Sequence, residues 1–596
     1  MSSSRRPRTP PLLLVFLTVW GGTVSAQDLG GWMPDAPSPP SKHVGFANGL
    51  LPLSNVLGLN GDGIDILVWE SGLPMPEHFA FDVADLEVVY QSTGETSLHA
   101  TQVVGAILAQ GSCQVHGTAQ GATVHMFQNL GGSGGLALRL QQWEDQLDAG
   151  VGLLTNWSFT AGGNDQHFAI ETLTHAHPEH LLVTGTGNPP LNRWNIVSNC
   201  HKNALVVGSI THQNAFSYGN SARGPTSDGR LKPDLVEHGS LLRLPGIDNQ
   251  GAPAIRNAQG SSMACALVAG QGALVQQAAV QQGGAPLRGD MLKATLILTA
   301  DDLGPTGPDF QFGFGQMRTD RAVEFVTRVH DGCPRAGMHV GEVLPGQVDT
   351  VHIPDVGDHP LKACLVWMDP PDSPYSRSVV NDLNLTLESA TGDLHKPWAL
   401  PHASVFIEHP DSLSLLDALP AVRQTNHVDN VELIEAEPGT GSHILTIAHD
   451  GDSAQHYALA WMEVLPAPWT LPATNEEALD CLDPAATLLL QDEDGIALDS
   501  ACGAVLPAGA YCVQSTAADG CHALASFDVR CASCPGDLNG DGERGAADFV
   551  ELLGLFESHA AFCLPECMSF DIADQNQLVF VNDILAFLGA FGIPCP

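Results

Sequence analysis

The chain has 596 residues, of which 44% are hydrophobic and 15% charged, so it can bury at least one large core and is expected to form two to four domains. Its 66 acidic side chains outnumber its 24 basic ones and give a formal net charge of -42. This excess argues against nucleic acid or an anionic membrane surface as a partner, because both would repel the protein.

The first 26 residues have the three regions of a secretory signal peptide. Arginines at positions 5, 6 and 8 precede an apolar run over 12–20, and Val24-Ser25-Ala26 offers a cleavage site. Residues 27–50 are rich in proline and are expected to be an extended lead-in. No later apolar run reaches about 18 residues, so no transmembrane segment is predicted. We therefore expect a secreted or cell-surface-associated protein.

Residues 51–330 alternate short apolar runs with helical patterns, which predicts an α/β domain with a parallel sheet. Its first strand is predicted within "GIDILVWES" and has Glu70 at its end, just before Ser71-Gly72. Asp65 lies on the opposite side of the strand alternation and is a poor substitute for Glu70 as a functional acid.

The pattern changes near residue 331. Short alternating segments with proline and glycine turns predict an antiparallel sandwich or jelly roll over 331–468, followed by a linker and a small cysteine-containing β module over 469–530. Nine of the 14 cysteines lie between 481 and 595, where disulfides are expected in an exported chain. The sparser upstream cysteines are expected to be buried thiols, with one bridge among them as the alternative.

A helix rich in small residues begins at "GSSMA", residues 260–264. A serine at such an entrance presents its hydroxyl from a tight turn and places backbone N–H groups near incoming negative charge. The simpler alternative for a lone serine is a helix N-cap.

The wider context favours catalysis, because residues 260–264 resemble the Gly-Thr-Ser-Met-Ala motif of subtilisin-like serine peptidases, the subtilases. The segment "HATQVVG", which starts at His99, resembles the histidine motif of the family. The resemblance implies that Ser262 is the nucleophile and His99 the general base. Six segments in the family's order cover about 270 residues, and one of them, "GRLKPD", resembles a segment that precedes the serine in many extracellular subtilases.

The same resemblance implies further roles. Thr186-Gly187-Asn188 is similar to the family's oxyanion segment, so Asn188 is the implied oxyanion residue and Gly187 a substrate-binding residue; a plain turn at Asn188 is the alternative. The backbone around Ser158 is expected to pair with a bound peptide. Glu70 takes the place of the family's aspartate, and the resemblance implies a Ser-His-Glu triad. Three departures, Gln102, Cys265 and Ala266, put specificity in doubt more than reaction type.

Residues 331–468 resemble the C-terminal jelly roll of large alkaline bacterial subtilases, in which calcium sites occur nearby. Asp382, Asp429 and Glu432 are candidate ligands there, with turn and cap roles as the alternative.

The last module, 531–596, has the spacing of an EF-hand-type calcium loop and resembles a type I dockerin. The candidate ligands are Asp537, Asn539, Asp541, Glu543 through its carbonyl, and Asp548. A cohesin-like or cell-surface partner is expected for this tail.

Together these features predict a secreted serine endopeptidase that cuts protein or peptide substrates and binds structural Ca²⁺. The alternative is a catalytically impaired surface protein that uses the same scaffold to bind peptides or to anchor.

Overall fold

The computed structural model describes residues 58–81, 95–110, 116–128, 133–159, 164–189, 197–211, 220–240, 242–354, 359–373, 379–400 and 420–464, together with five short strand segments between 469 and 529. The expected signal peptide, the whole of the lead-in and the dockerin-like tail lie outside these residues.

The centre of the α/β domain is a six-stranded sheet with the order β2-β1-β3-β4-β5-β6, in which all neighbouring strands are parallel. Its strands are β1 Asp65–Glu70, β2 Thr123–Gln128, β3 Leu154–Trp157, β4 Leu181–Gly185, β5 Leu205–Ile210 and β6 Leu235–His238. The prediction of a parallel sheet with helices is confirmed.

Six helices accompany this sheet in the described residues: α1 Leu98–Leu108, α2 Ser133–Asp148, α3 Asn164–Ala176, α4 Ser261–Gly283, α5 Gly289–Leu298 and α6 Thr319–His330. A hairpin that the sequence patterns did not predict, β7 Leu242–Ile247 with β8 Pro253–Ala258, precedes α4. Within the described residues, α4 is the one helix long and apolar enough to cross a membrane, and it is buried inside the fold.

The two faces of the sheet bury different cores because side chains alternate along each strand. On β1, Ile66 and Val68 join the core that includes α1 and α4. Leu67 and Trp69 join the opposite core, against α2 and α3. Glu70 has the same parity as Ile66 and Val68, so it points to the side that holds α1 and α4.

A sandwich of two four-stranded antiparallel sheets follows the α/β domain. One sheet has the order β16-β11-β18-β9 and the other β10-β17-β12-β13. Their strands are β9 Ala336–Val343, β10 Val348–Ile353, β11 Leu361–Val366, β12 Leu383–Glu388, β13 Leu394–His395, β16 Val431–Ala436, β17 His443–His449 and β18 Gln455–Glu463. Both sheets supply the buried side chains between them, for example Leu365 and Leu385.

The remaining strands are short or lie further along the chain. They are β14 Trp398–Ala399, β15 Val422–Arg423, β19 Trp469–Thr470, β20 Asp480–Cys481, β21 Thr487–Asp492, β22 Gly509–Thr516 and β23 His522–Val529. The last three form a three-stranded antiparallel sheet within the predicted small β module.

The sandwich contacts the α/β domain through a buried polar cluster. The Lys202 ammonium donates to the Asp369 carboxylate at 2.5 Å, and both side chains are at most 1% exposed. Asn203 accepts from the Asp369 N–H at 2.8 Å and donates to the Asp369 carbonyl at 2.9 Å. Asp429 accepts the N–H of Leu231, which lies within "GRLKPD", at 2.7 Å. That motif therefore contributes to the contact between the two domains.

We expect Asp369→Ala to lower the free energy of unfolding by about 3–5 kcal/mol, because it leaves the buried ammonium of Lys202 without its carboxylate. Chemical denaturation followed by fluorescence measures the loss. Asp62→Ala, at an exposed position, is the matched control and should change stability by less than about 0.5 kcal/mol. Equal effects of the two substitutions would contradict the assignment.

Candidate active site

Glu70 and His99 are joined by a short hydrogen bond. The Nδ1–H of His99 donates to Oε2 of Glu70 at 2.8 Å, and the same oxygen receives the N–H of Ser71 at 3.3 Å. Glu70 is 1% exposed, whereas the His99 side chain is 41% exposed. The carboxylate is thus buried behind the imidazole and leaves the outer edge of the ring facing solvent.

The turn after β1 makes this approach possible. The N–H of Ser97 donates to the Leu73 carbonyl at 2.8 Å, which ties the segment ahead of α1 to the chain leaving β1. A Cβ at Gly72 would lie 2.5 Å from the Cβ of Ser97, so only glycine permits this contact. Ser97 is also the N-cap of α1, because its hydroxyl accepts the N–H of Ala100 at 3.4 Å.

The second oxygen of Glu70 has a different environment. Oε1 is buried and has no hydrogen-bond partner among the described residues. Leaving a buried acceptor unsatisfied costs about 1–3 kcal/mol. Glutamate therefore reaches the imidazole here with one oxygen only.

The pKa of His99 reflects two opposing effects. Burial lowers the pKa, while the hydrogen bond from His99 to Glu70 and the charge of Glu70 raise it; the net result is a pKa above the usual 6.5. The imidazolium form is stabilised in this setting, which is the form that a general base passes through after it takes a proton.

Ser262 lies in the first turn of α4, where the sequence places the family's nucleophile. Among the described residues, its hydroxyl donates to the Ser158 carbonyl at 3.0 Å. The Ser158 hydroxyl in turn donates to the Ser262 carbonyl at 2.9 Å. This reciprocal pair holds the end of β3 against the start of α4, and the Ser262 hydroxyl must turn away from Ser158 before it can attack a substrate.

Asn188 is held beside the same helix start. Its Oδ1 accepts the N–H of Ser261 at 2.9 Å and the hydroxyl of Ser261 at 3.2 Å, while that hydroxyl accepts the N–H of Gly187 at 3.0 Å. Because Oδ1 is occupied by two donors, the amide Nδ2 is left to donate elsewhere. Gly260 has a φ of 123°, a backbone conformation that favours glycine. A Cβ at this position would also lie 2.9 Å from Nδ2 of Asn188, so a larger residue would collide with the amide.

The sequence patterns did not assign a role to three buried side chains behind the site. Ser261 orients Asn188, Asn156 donates to the Ser158 hydroxyl at 3.1 Å, and the Cys265 thiol donates to Oδ1 of Asn156 at 3.0 Å. Burial raises the pKa of Cys265 to about 12, so this thiol stays protonated and acts as a donor. Cys265, like Cys364, is a free buried cysteine.

The three departures from the family pattern have ordinary packing roles. Gln102 donates from α1 to the Asn257 carbonyl of β8 at 3.3 Å. Ala266 is fully buried in the core around α4, as is Cys265. None of the three displaces Glu70, His99 or Ser262.

Comparison with protein-family models identifies the class. Residues 81–315 match the model described as the subtilase family. The matched segment contains His99, Asn188 and Ser262, and Glu70 precedes it. Residues 81–315 thus have the pattern of a subtilase domain, a family that implies serine-type peptidase activity on protein substrates.

We expect the titration midpoint of His99 to lie above pH 6.5. Glu70→Gln should move this midpoint to lower pH, because the substitution removes the charge that raises the pKa of His99 and leaves the burial that lowers it. NMR titration of histidines labelled at Cε1, assigned with His99→Gln, measures this shift. The resonance of His456, whose side chain is 61% exposed on the sandwich, should be the same in both proteins. A His99 titration that does not respond to Glu70→Gln would contradict the coupling.

Proposed function

We propose that the protein is a secreted serine endopeptidase with a Ser262-His99-Glu70 triad. The observation that carries the proposal is the 2.8 Å hydrogen bond from His99 Nδ1 to the buried Glu70 carboxylate, on the same side of the sheet as the start of α4. The subtilase match supports the reaction class. The sequence of the first 26 residues supports secretion.

The chemistry follows from these positions. His99 takes the hydroxyl proton of Ser262 through Nε2, and Oγ attacks the substrate carbonyl carbon. Nδ2 of Asn188 and the backbone N–H of Ser262 stabilise the oxyanion, and one such donor is worth roughly 3 kcal/mol. His99 then protonates the leaving amine, and water hydrolyses the acyl-enzyme by the same route in reverse.

Substrate binding is proposed to involve the backbone at Ser158 and Gly187. The Ser158 carbonyl already accepts the Ser262 hydroxyl, so a peptide N–H that replaced this donor would release the hydroxyl toward His99. Binding and activation of the nucleophile would then be coupled.

We expect a fluorophosphonate probe to label the purified protein at Ser262 and the protein to hydrolyse casein, because both depend on an activated serine. Mass spectrometry of the labelled peptide and a casein assay measure the two properties, with and without calcium. Ser262→Ala should abolish both and is the control. Wild-type protein that shows neither property would refute the proposal.

The second candidate function is an impaired peptidase scaffold that binds peptides, and two observations favour it: the unsatisfied Oε1 of Glu70 and the hydroxyl of Ser262 bound to Ser158. Glu70→Asp separates the candidates. If the pocket is built for glutamate, the shorter side chain loses the contact with His99 and kcat falls about tenfold to a hundredfold. A large gain in kcat would instead favour the impaired scaffold.

We further propose that the sandwich binds calcium. Asp382, Asn384 and Glu432 each have one buried side-chain oxygen with no hydrogen-bond partner among the described residues, and oxygen atoms are the ligands that Ca²⁺ prefers. Within the described part of the chain, no three His, Cys, Asp or Glu side chains form a metal-binding group. The proposed site therefore combines the carboxylates of Asp382 and Glu432 with the amide oxygen of Asn384. Asp429 does not fit, because Leu231 and Asn426 occupy its two oxygens.

We expect calcium to raise the melting temperature of the full chain, because a ligand that binds only the folded state adds about 2.7 kcal/mol at 100 times its Kd. Scanning calorimetry with calcium or a chelator measures the shift. Glu432→Gln should remove the part that belongs to the sandwich, and Asp548→Asn the part that belongs to the tail loop. A calcium response unchanged by Glu432→Gln would contradict the sandwich site.

The tail proposals rest on sequence alone. Asp537, Asn539, Asp541, Glu543 and Asp548 are proposed to hold Ca²⁺ in a dockerin-like loop that attaches the enzyme to a cohesin-like or cell-surface partner. These residues, like the tail cysteines proposed to form disulfides, lie outside the described side chains.

A further inference from the structure

Asn199 lies behind the candidate site and is 2% exposed. Its side-chain Nδ2 faces three acceptors: the Phe159 carbonyl at 2.9 Å, the Thr184 hydroxyl at 2.8 Å and the Gly185 carbonyl at 2.9 Å. One buried amide thus connects two chain segments that are far apart in sequence.

These two segments flank the nucleophile. Phe159 directly follows Ser158, whose carbonyl holds the Ser262 hydroxyl. Gly185 ends β4, two residues before Gly187, whose N–H binds Ser261. We call the segments around Phe159 and Gly185 the two walls of the proposed substrate cleft, because both contact the start of α4 beside Ser262.

The sheet itself does not hold the walls together at this point. The pairing of β3 with β4 ends at Trp157 opposite Thr184. Beyond that pair, Asn199 bridges the gap, and the Thr184 hydroxyl extends the bridge by donating to the Trp157 carbonyl at 2.9 Å. Among the described residues, Asn199 thus joins the two walls directly just beyond the last strand pair.

The position of Asn199 is fixed from both sides. Just before it, the N–H of Ser198 donates to the Thr186 carbonyl at 3.0 Å. Just after it, Lys202 and Asn203 are bound to Asp369 of the sandwich. The segment 198–203 therefore runs directly from the cleft to the contact between the domains.

We propose that Asn199 is a positioning residue for the peptidase reaction, which fixes the spacing of the two walls and thereby the register of a bound peptide against Ser262. The inference rests on the proposed function. Asn199 acts through Phe159 and Gly185 and does not touch the reacting atoms.

The test compares Asn199→Ala and Asn199→Asp with Asn381→Ala. Aspartate matches asparagine in shape but cannot donate from that position when ionised. Asn381 is an equally buried asparagine whose Nδ2 donates to Ser453 at 3.0 Å and Gln455 at 2.9 Å inside the sandwich. Active sites are titrated with a fluorophosphonate so that rates refer to folded enzyme.

Two substrates separate positioning from folding. An extended peptide anilide uses both walls, whereas p-nitrophenyl acetate is too small to do so. For both Asn199 variants we expect kcat/KM on the peptide to fall about tenfold or more, while the ester rate per titrated site changes less than twofold. Asn381→Ala should leave the ratio of the two rates unchanged. A proportional loss on both substrates in the Asn199 variants would overturn the proposal.

Amide hydrogen exchange tests the bridge without relying on catalysis. In Asn199→Ala, peptides covering 154–159 and 184–188 should exchange about tenfold faster than in wild type, and they should not change in Asn381→Ala. Unchanged exchange would overturn the inference even if the enzyme is active. Faster exchange in Asn199→Ala, found together with a wild-type protein that lacks peptidase activity, would uphold the bridge and refute the proposed function alone.

Discussion

The packing of α4 against the parallel sheet is the constraint on which the candidate site depends. This helix is buried along most of its length, and its small side chains let it lie close to its neighbours; a Cβ at Gly270 would come within 1.9 Å of the Thr118 hydroxyl. Its first turn carries Ser262 and presents Ser261 to Asn188. A shift of α4 would therefore move the nucleophile and the oxyanion donor together, while Glu70 and His99 stayed with β1 and α1.

The parts of the site that the sequence predicted are those in which a local pattern determines position. The apolar run before Glu70 predicts a strand that ends at the carboxylate, and the small-residue run after Gly260 predicts a helix that begins near Ser262. The alternation along β1 also separates Glu70 from Asp65, which pairs with His125 on the neighbouring strand at 3.0 Å. The parallel sheet could be predicted for the same reason.

The parts that the sequence did not predict depend on contacts between distant segments. Asn199 has no periodic neighbours and follows no turn pattern, so nothing local marks it. The "GRLKPD" segment was noticed as a motif, yet its contact with Asp429 depends on how the sandwich docks. The two oxygens of Glu70 also differ for a reason that lies in the fold, since one extra methylene does not determine which oxygen meets the imidazole.

The use of glutamate in place of aspartate illustrates how a longer acid is accommodated. The turn at Ser71 and Gly72 supplies one N–H to Oε2, the same oxygen that binds His99, and among the described residues Oε1 has no donor. The carboxylate is therefore held at one point, whereas two engaged oxygens would fix the plane of the group. The imidazole is oriented mainly by α1, whose N-cap and first turn are tied to the chain leaving β1.

The contact between Asp369 and the 202–203 segment has a thermodynamic meaning beyond stability. Because the same segment carries Asn199, a peptide that bound more tightly when the sandwich is docked would favour docking by the same free energy with which docking favours the peptide. Under the calcium proposal above, an ion that stabilised docking would alter affinity in the cleft through the same linkage. Peptide binding in the α/β domain and docking of the sandwich would then strengthen each other equally.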